Sequence, residues 1–227
     1  QIENREIMMR MFPELFQSLN IESVDSYPSY LVDILKSLAP KKCKGDPNIV
    51  ILTPGHLNSA YYEHSFLADL MGVELVQGSD LYVNNNITYM KTTEGPKKVD
   101  IIYRRIDDEY LDPLYYKNDS LLGVPGIINS YKTGYVNICS APGAGLADDK
   151  AVYTFMPDII KFYLGEEPIL QNIKTWRCYD VKESKYVINN LEKLVVKEVH
   201  GSGGYGMLIG SKLSLIHISE PTRPLYI

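Results

Sequence analysis

An α/β fold built on a parallel sheet is predicted by three stretches of the sequence. IVILT (residues 49–53) reads as a buried strand, followed by the loop TPGHLNS, a helical stretch at 59–71 that Gly72 stops, and another strand, VELV (73–76). Strand, tight loop, helix and strand in that order make a βαβ unit, whose strands lie parallel and whose crossover is right-handed. VDIIY (99–103) adds another buried strand. Its apolar run is too short for a helix and is bounded by polar residues.

The remaining elements follow in chain order. Residues 2–19 carry Ile7, Met8, Met11, Leu15 and Phe16 at helical spacing, with an interruption at Pro13. Residues 30–38 read as a second helix, and KKCKGDPN (41–48) as a connector marked by Gly45 and Pro47. LYVNNNITYM (81–90) places two alternating runs about an Asn cluster, the pattern of a hairpin. After APGAG (141–145), Asp148 or Asp149 can cap a helix running through Pro157 to Leu164, which Gly165 ends. KTWRCYD (174–180) is expected as a strand, 182–193 as a helix and LVVKEV (194–199) as a strand, with an apolar run resuming at MLIG (207–210).

The chain has 227 residues, 45% apolar and 22% charged, enough for one large domain or two small ones. A formal charge of -5 without a long basic run argues against a nucleic-acid partner. No stretch approaches the ~20 apolar residues of a membrane span, and no apolar signal segment opens the chain. Cys43, Cys139 and Cys178 are scattered and odd in number, which fits reduced thiols and a cytoplasmic setting. LSLIHISEPTRPLYI (213–227) is unlike the rest and looks like a translated sequencing adaptor. With a start at Gln1, it makes a fragment truncated at both ends the expectation.

The densest signal is VVKEVHGSGGYGMLIG (195–210), where Gly201, Gly203, Gly204 and Gly206 fall within six residues. Such a cluster serves turns of positive φ or close approach of backbone N–H groups to an anion; a flexible hairpin tip is the plainer alternative. GSGGYG satisfies G-x-G-x-x-G, yet a dinucleotide fingerprint opens a helix, and here an apolar, strand-like run follows. An NAD-dependent oxidoreductase is therefore a remote reading. Walker A fails too, because its lysine follows the glycines and Lys197 precedes them. Strand alternation would set Lys197 on the face of Val195 and Val199, with Glu198 pointing away.

A lysine on a strand beneath a glycine flap resembles the smaller lobe of the ATP-grasp fold. With TPGHLNSAYYEH (53–64), YRRIDDEYLDPL (103–114), SLLGVPGI (120–127) and ADDKAVY (147–153), the chain resembles the circularly permuted ATP-grasp proteins over residues 1–210. The resemblance implies an ATP-dependent carboxylate–amine ligase working through an acyl phosphate; a non-catalytic nucleotide-binding or scaffold domain of the same fold is the alternative. It implies ATP contacts from Lys150, Lys197, Gly201, Ser202, Gly203, Gly204 and Gly206, and Mg²⁺ held by residues outside this chain. It also implies three segments, 1–40 a helical remnant of an upstream ATP-grasp part, 48–140 a Rossmann-like pre-ATP-grasp domain and 141–211 the small lobe, ahead of the 212–227 tail read above as non-native. The sequence departs from the family pattern at Glu198 and His200, where Pro and Asn are expected.

Substrate binding is expected at two loops. Asn58 and Ser59 sit at a helix N-terminus, where they can equally be caps, and Glu63 and His64 lie one turn further on. Arg104 and Arg105 directly follow a buried strand, the end at which α/β sheets bind ligands, and suit bidentate capture of a carboxylate. Asp107 or Asp108 could orient them or receive an amine; a surface ion-pair cluster is the alternative. Glu3, Asn4 and Arg5 form a triplet on the first helix, adjoining in the family a magnesium-binding segment that this chain lacks. The expected partners are small-molecule or peptide carboxylates and amines, with no nucleic acid and no membrane.

Overall fold

A computed structural model describes residues 2–19, 21–201, 203–204 and 206–213. The chain divides into two compact units, Gln1–Gly143 and Ala144–Ile227.

The first unit is organised by a four-stranded parallel sheet. Its strands are β1 (Ile49–Leu52), β2 (Glu74–Val76), β6 (Ile101–Arg104) and β7 (Asn137–Cys139), in the order β2-β1-β6-β7. Val50 sits opposite Glu74 on one side and Ile102 on the other. Helices α3 (Tyr27–Ser37) and α4 (Tyr61–Met71) cover one face, where Leu35, Ala68 and Met71 close over Ile49, Ile51 and Ile101. The opposite face, carrying Val50, Leu52, Ile102 and Ile138, is covered by Leu111, Val124, Ile127 and Ile128 with Leu81 and Met90. Burial on both faces explains why the two central strands, β1 and β6, read as apolar runs, while the edge strands β2 and β7 carry Glu74 and Asn137.

Between β2 and β6 the chain forms a small antiparallel sheet of β3 (Leu81–Asn84), β4 (Ile87–Met90) and β5 (Lys97–Lys98). Its two-residue turn places Asn85 at φ 50° and Asn86 at φ 64°, the left-handed pair a tight hairpin requires. The N-terminal stretch divides at Pro13 into α1 (Ile2–Met11) and α2 (Pro13–Ser18). Helices α5 (Asp108–Leu111) and α6 (Ile127–Lys132) complete the unit.

The second unit departs further from the sequence-based expectation. The helix expected to pass through Pro157 is two helices, α7 (Lys150–Tyr153) and α8 (Met156–Leu164), with the proline in the first turn of the second. A proline ring is tolerated there but displaces an interior hydrogen bond elsewhere. Asp149 caps α7, taking the N–H groups of Ala151 and Val152 on Oδ1, and Gly165 ends α8 at φ 69°. Residues 174–180 do not form the expected strand. The Arg177 N–H is given to the Glu183 carboxylate, and its guanidinium stacks over Phe155 and Tyr179, so the backbone is committed to side-chain partners. α9 (Val181–Asn189) follows, capped by Asp180, and gives way to a 3₁₀ turn at Leu191–Lys193. The strand expected over 194–199 is confined to β8 (Val195–Val196), because its antiparallel partner β9 (Leu208–Ile209) is only two residues long.

Candidate functional site

The glycine segment joins β8 to β9, which keeps its two ends together. Gly203, Gly204 and Gly206 all lie at positive φ, 61°, 83° and 63°, conformations that a side chain at Cβ disfavours. Positive φ thus accounts for three of the four glycines in the cluster. The segment leads into β9 and not into a helix, so its geometry is not that of a dinucleotide fingerprint.

Lys150 fixes this segment from below. Its backbone N–H reaches the Val199 carbonyl at 3.2 Å, and its ammonium donates to the carbonyls of Gly201 and Val199. It is therefore not paired with Asp149, whose Oδ2 instead stands 3.8 Å from His200 Nε2. Lys150, Lys197, Glu198, Gly201, Gly203, Gly204 and Met207 line one cavity of about 230 Å³. Two lysines forty-seven positions apart thus converge on one glycine-walled space (197 − 150 = 47). Ser202, expected in the same group, lies outside the described residues. Because β8 ends at Val196, strand alternation does not reach Glu198, and its side chain turns onto the Cα of Gly206 and faces the cavity. That corrects the expectation that it points away.

The second group of expected residues surrounds the carboxyl ends of β1 and β6. The chain moves from β1 outward to β2 and then returns to β6 on the other side of β1. The loops leaving β1 and β6 consequently part company, opening the crevice where α/β sheets hold ligands. Thr53 is 1% exposed at this point. Its hydroxyl accepts from Gly55 N at 3.2 Å and stands 2.9 Å from His64 Nδ1. The hydroxyl and Nδ1 share one hydrogen bond, which either ring tautomer of His64 can make. His64 is buried, and desolvation, aided by the Arg105 charge and opposed by Glu63, lowers its pKa from the ordinary 6.5. Glu63 itself is exposed. Asn58 Oδ1 takes the Ala60 N–H at 2.9 Å in a turn ahead of α4, whose N-cap Ala60 has no side-chain cap, so neither Asn58 nor the exposed Ser59 caps the helix.

The two arginines part in role. Arg104 points inward: Nε donates to Ser140 O at 2.6 Å, Nη1 to Ile106 O at 2.7 Å and Nη2 to Ala141 O at 3.1 Å. Asp108 Oδ1 lies 2.7 Å from Arg104 Nη2, in a charge contact off the hydrogen-bond line, and Oδ2 accepts from Gly143 N. Arg104 and Asp108 are therefore largely committed to holding residues 140–143. Arg105 and Asp107 remain exposed, with the Arg105 guanidinium over the Tyr103 ring. Glu3, Asn4 and Arg5 occupy the first turns of α1, where Arg5 Nη1 donates to Glu22 O.

Two residues outside the expected set also shape these loops. Thr53 was legible only as the first residue of a polar loop. Asp112 is fully buried and accepts backbone N–H groups from Leu114, Gly126 and Ile128 at 2.9, 3.1 and 3.0 Å. It ties both ends of the 112–128 excursion together, and one carboxylate in a run of acidic residues gives no sequence signal for that.

A parallel sheet in this order, and a second unit in which two lysines meet beneath a glycine hairpin, define a two-unit α/β protein distinct from dinucleotide-binding and Walker-type folds. The chain belongs to the circularly permuted ATP-grasp family, whose model matches residues 1–224. It is 49% identical to an uncharacterized protein of Synechocystis over 94% of its own length and 44% of that protein. It is likewise 49% identical to an uncharacterized protein of Mycobacterium tuberculosis over 99% of its length and 40% of the other's. A Frankia alni protein named as a candidate glutamate–cysteine ligase is 37% identical over 92% of the chain and 24% of that protein. The chain thus spans less than half the length of these relatives. Among the described residues, no helix is long and apolar enough to cross a membrane.

Proposed function

We propose that this chain supplies the polyphosphate-holding loop and part of the substrate crevice of an ATP-dependent carboxylate–amine ligase. The convergence of Lys150 and Lys197 on one cavity walled by positive-φ glycines carries the reading. ATP supplies the phosphoryl group that turns a carboxylate into an acyl phosphate, with ADP leaving; attack by the amine then expels phosphate and leaves the amide.

This chain's own contribution is positioning and charge. Lys197 presents an exposed ammonium to the cavity, and Lys150 holds the loop carbonyls so that the glycine backbone stays folded over it. In the crevice, Arg105 is the free guanidinium for a substrate carboxylate, near the buried His64; Asn58, Ser59, Glu63 and Asp107 lie around it. Arg104 and Asp108 position the neighbouring 140–143 segment. Among the described residues no group of three or more His, Cys, Asp or Glu side chains is placed to hold a metal ion, so no residue here is assigned to Mg²⁺. The similarity to a relative named for a ligase adds support for the reaction class.

The test is calorimetric titration of the chain with ATP, with NADH as the control ligand. ATP should bind and NADH should not, and Lys197→Ala should weaken ATP by about tenfold to a hundredfold, the worth of one charge-assisted contact. Unchanged ATP affinity in that variant removes Lys197 from the site. Binding without ADP release by the longer protein, across pools of carboxylates and amines, would favour a scaffold of the same fold.

A further inference from the structure

Among the described residues Glu198 is the one acidic side chain lining the glycine cavity, and it faces the same space as Lys150 and Lys197. Its carboxylate end lies against the Cα of Gly206, so close that any Cβ there would overlap it. The glycine therefore makes room for the carboxylate as well as for the turn. β8 stops at Val196, which frees residues 197 and 198 from the alternation that would otherwise send them to opposite faces. Lysine and glutamate both reach the cavity for that reason.

A carboxylate at this place changes what the cavity selects. Two ammonium groups alone would reward every added phosphate charge. With Glu198 present the formal charge of the lining falls from +2 to +1 (two lysines, one glutamate), and each further phosphate meets a fixed like charge. We propose that Glu198 is a specificity-determining residue of this site: held against Gly206, it flattens the preference for more highly charged polyphosphates. The inference rests on the proposed polyphosphate role of the cavity.

Sodium pyrophosphate and sodium tripolyphosphate, titrated calorimetrically at constant ionic strength into wild-type chain and Glu198→Gln, provide the test. The variant is expected to bind tripolyphosphate about tenfold tighter and pyrophosphate less than threefold tighter, so that the ratio of the two affinities rises. The glutamine keeps the shape of the side chain and its contact with Gly206, so loss of a merely structural contact would not raise that ratio. Wild-type binding with an unchanged or lowered ratio in the variant overturns the role of Glu198 and leaves the ATP reading standing. Absence of binding by both proteins, with circular dichroism unchanged, overturns the two together.

Discussion

The two units of this chain are stabilised in opposite ways. Among the described residues every buried apolar side chain but Val187 lies in the first unit, on one or other face of the parallel sheet. The second unit instead exposes Phe162, Tyr163, Ile169, Leu170 and Ile173, and its two-stranded sheet is held by a few close backbone approaches. Gly210 is the clearest: it is buried, donates to Leu194 O at 2.9 Å, and leaves no space for a Cβ beside the Leu191 carbonyl. A core made of many contacts loses stability in increments as it is truncated. A unit made of few contacts depends on single residues, and the glycine cavity belongs to that unit.

The sharpest way to break this comparison is a matched pair of truncations. Ile102→Ala, inside the sheet, should cost about 2–5 kcal/mol in urea unfolding, whereas Phe162→Ala should cost less than about 0.5 kcal/mol. Equal losses would mean that Phe162 belongs to a core and that the two units are stabilised alike. Next in size is Gly210→Ala, expected to destabilise the second unit by about 1–3 kcal/mol through overpacking against the Leu191 carbonyl. Trp176 is the only tryptophan of the chain and lies in that unit, so its emission during unfolding should report the loss. Hydrogen exchange in β1 and β6 should stay unchanged; coupled loss in both units would remove the distinction.

The smallest effect concerns pH. The lowered His64 pKa means that the folded chain binds fewer protons than the unfolded one between that value and the ordinary 6.5. His64 therefore contributes stability that is present above the ordinary value and is lost as pH falls through the window below it. The urea midpoint followed from about pH 7.5 to about pH 5.5 should fall less steeply in His64→Gln than in the wild type. Parallel slopes would show that the buried ring carries no linkage.

Several parts of the fold could be read from residues alone because each had a local physical cause. Burial on both sides wrote the central strands β1 and β6 as apolar runs, and Asn85–Asn86 wrote the hairpin turn through their tolerance of positive φ. Where a segment's partners came from far away, reading failed. Residues 174–180 have strand-forming residues, but Phe155 and Glu183 claim Arg177 first. The LVVKEV run has the apolar content of a six-residue strand, but its length is set by a two-residue neighbour. Arg104 and Arg105 illustrate the same limit: adjacent in sequence, they separate because Arg104 finds carbonyls at 106, 140 and 141 that only folding brings near.

The sequence by itself determined the kinds of element, the order of the βαβ unit, the glycine loop and the family, since these rest on patterns within ten or twenty residues. Only the tertiary structure decided that Lys150 and Lys197 share one cavity, that Glu198 joins them, and that Asp112 and Thr53 hold the loops at the sheet's carboxyl edge. Side-chain charge and hydrogen-bond capacity are written in the sequence. The partner each group meets depends on distances that exist only after the chain has closed on itself.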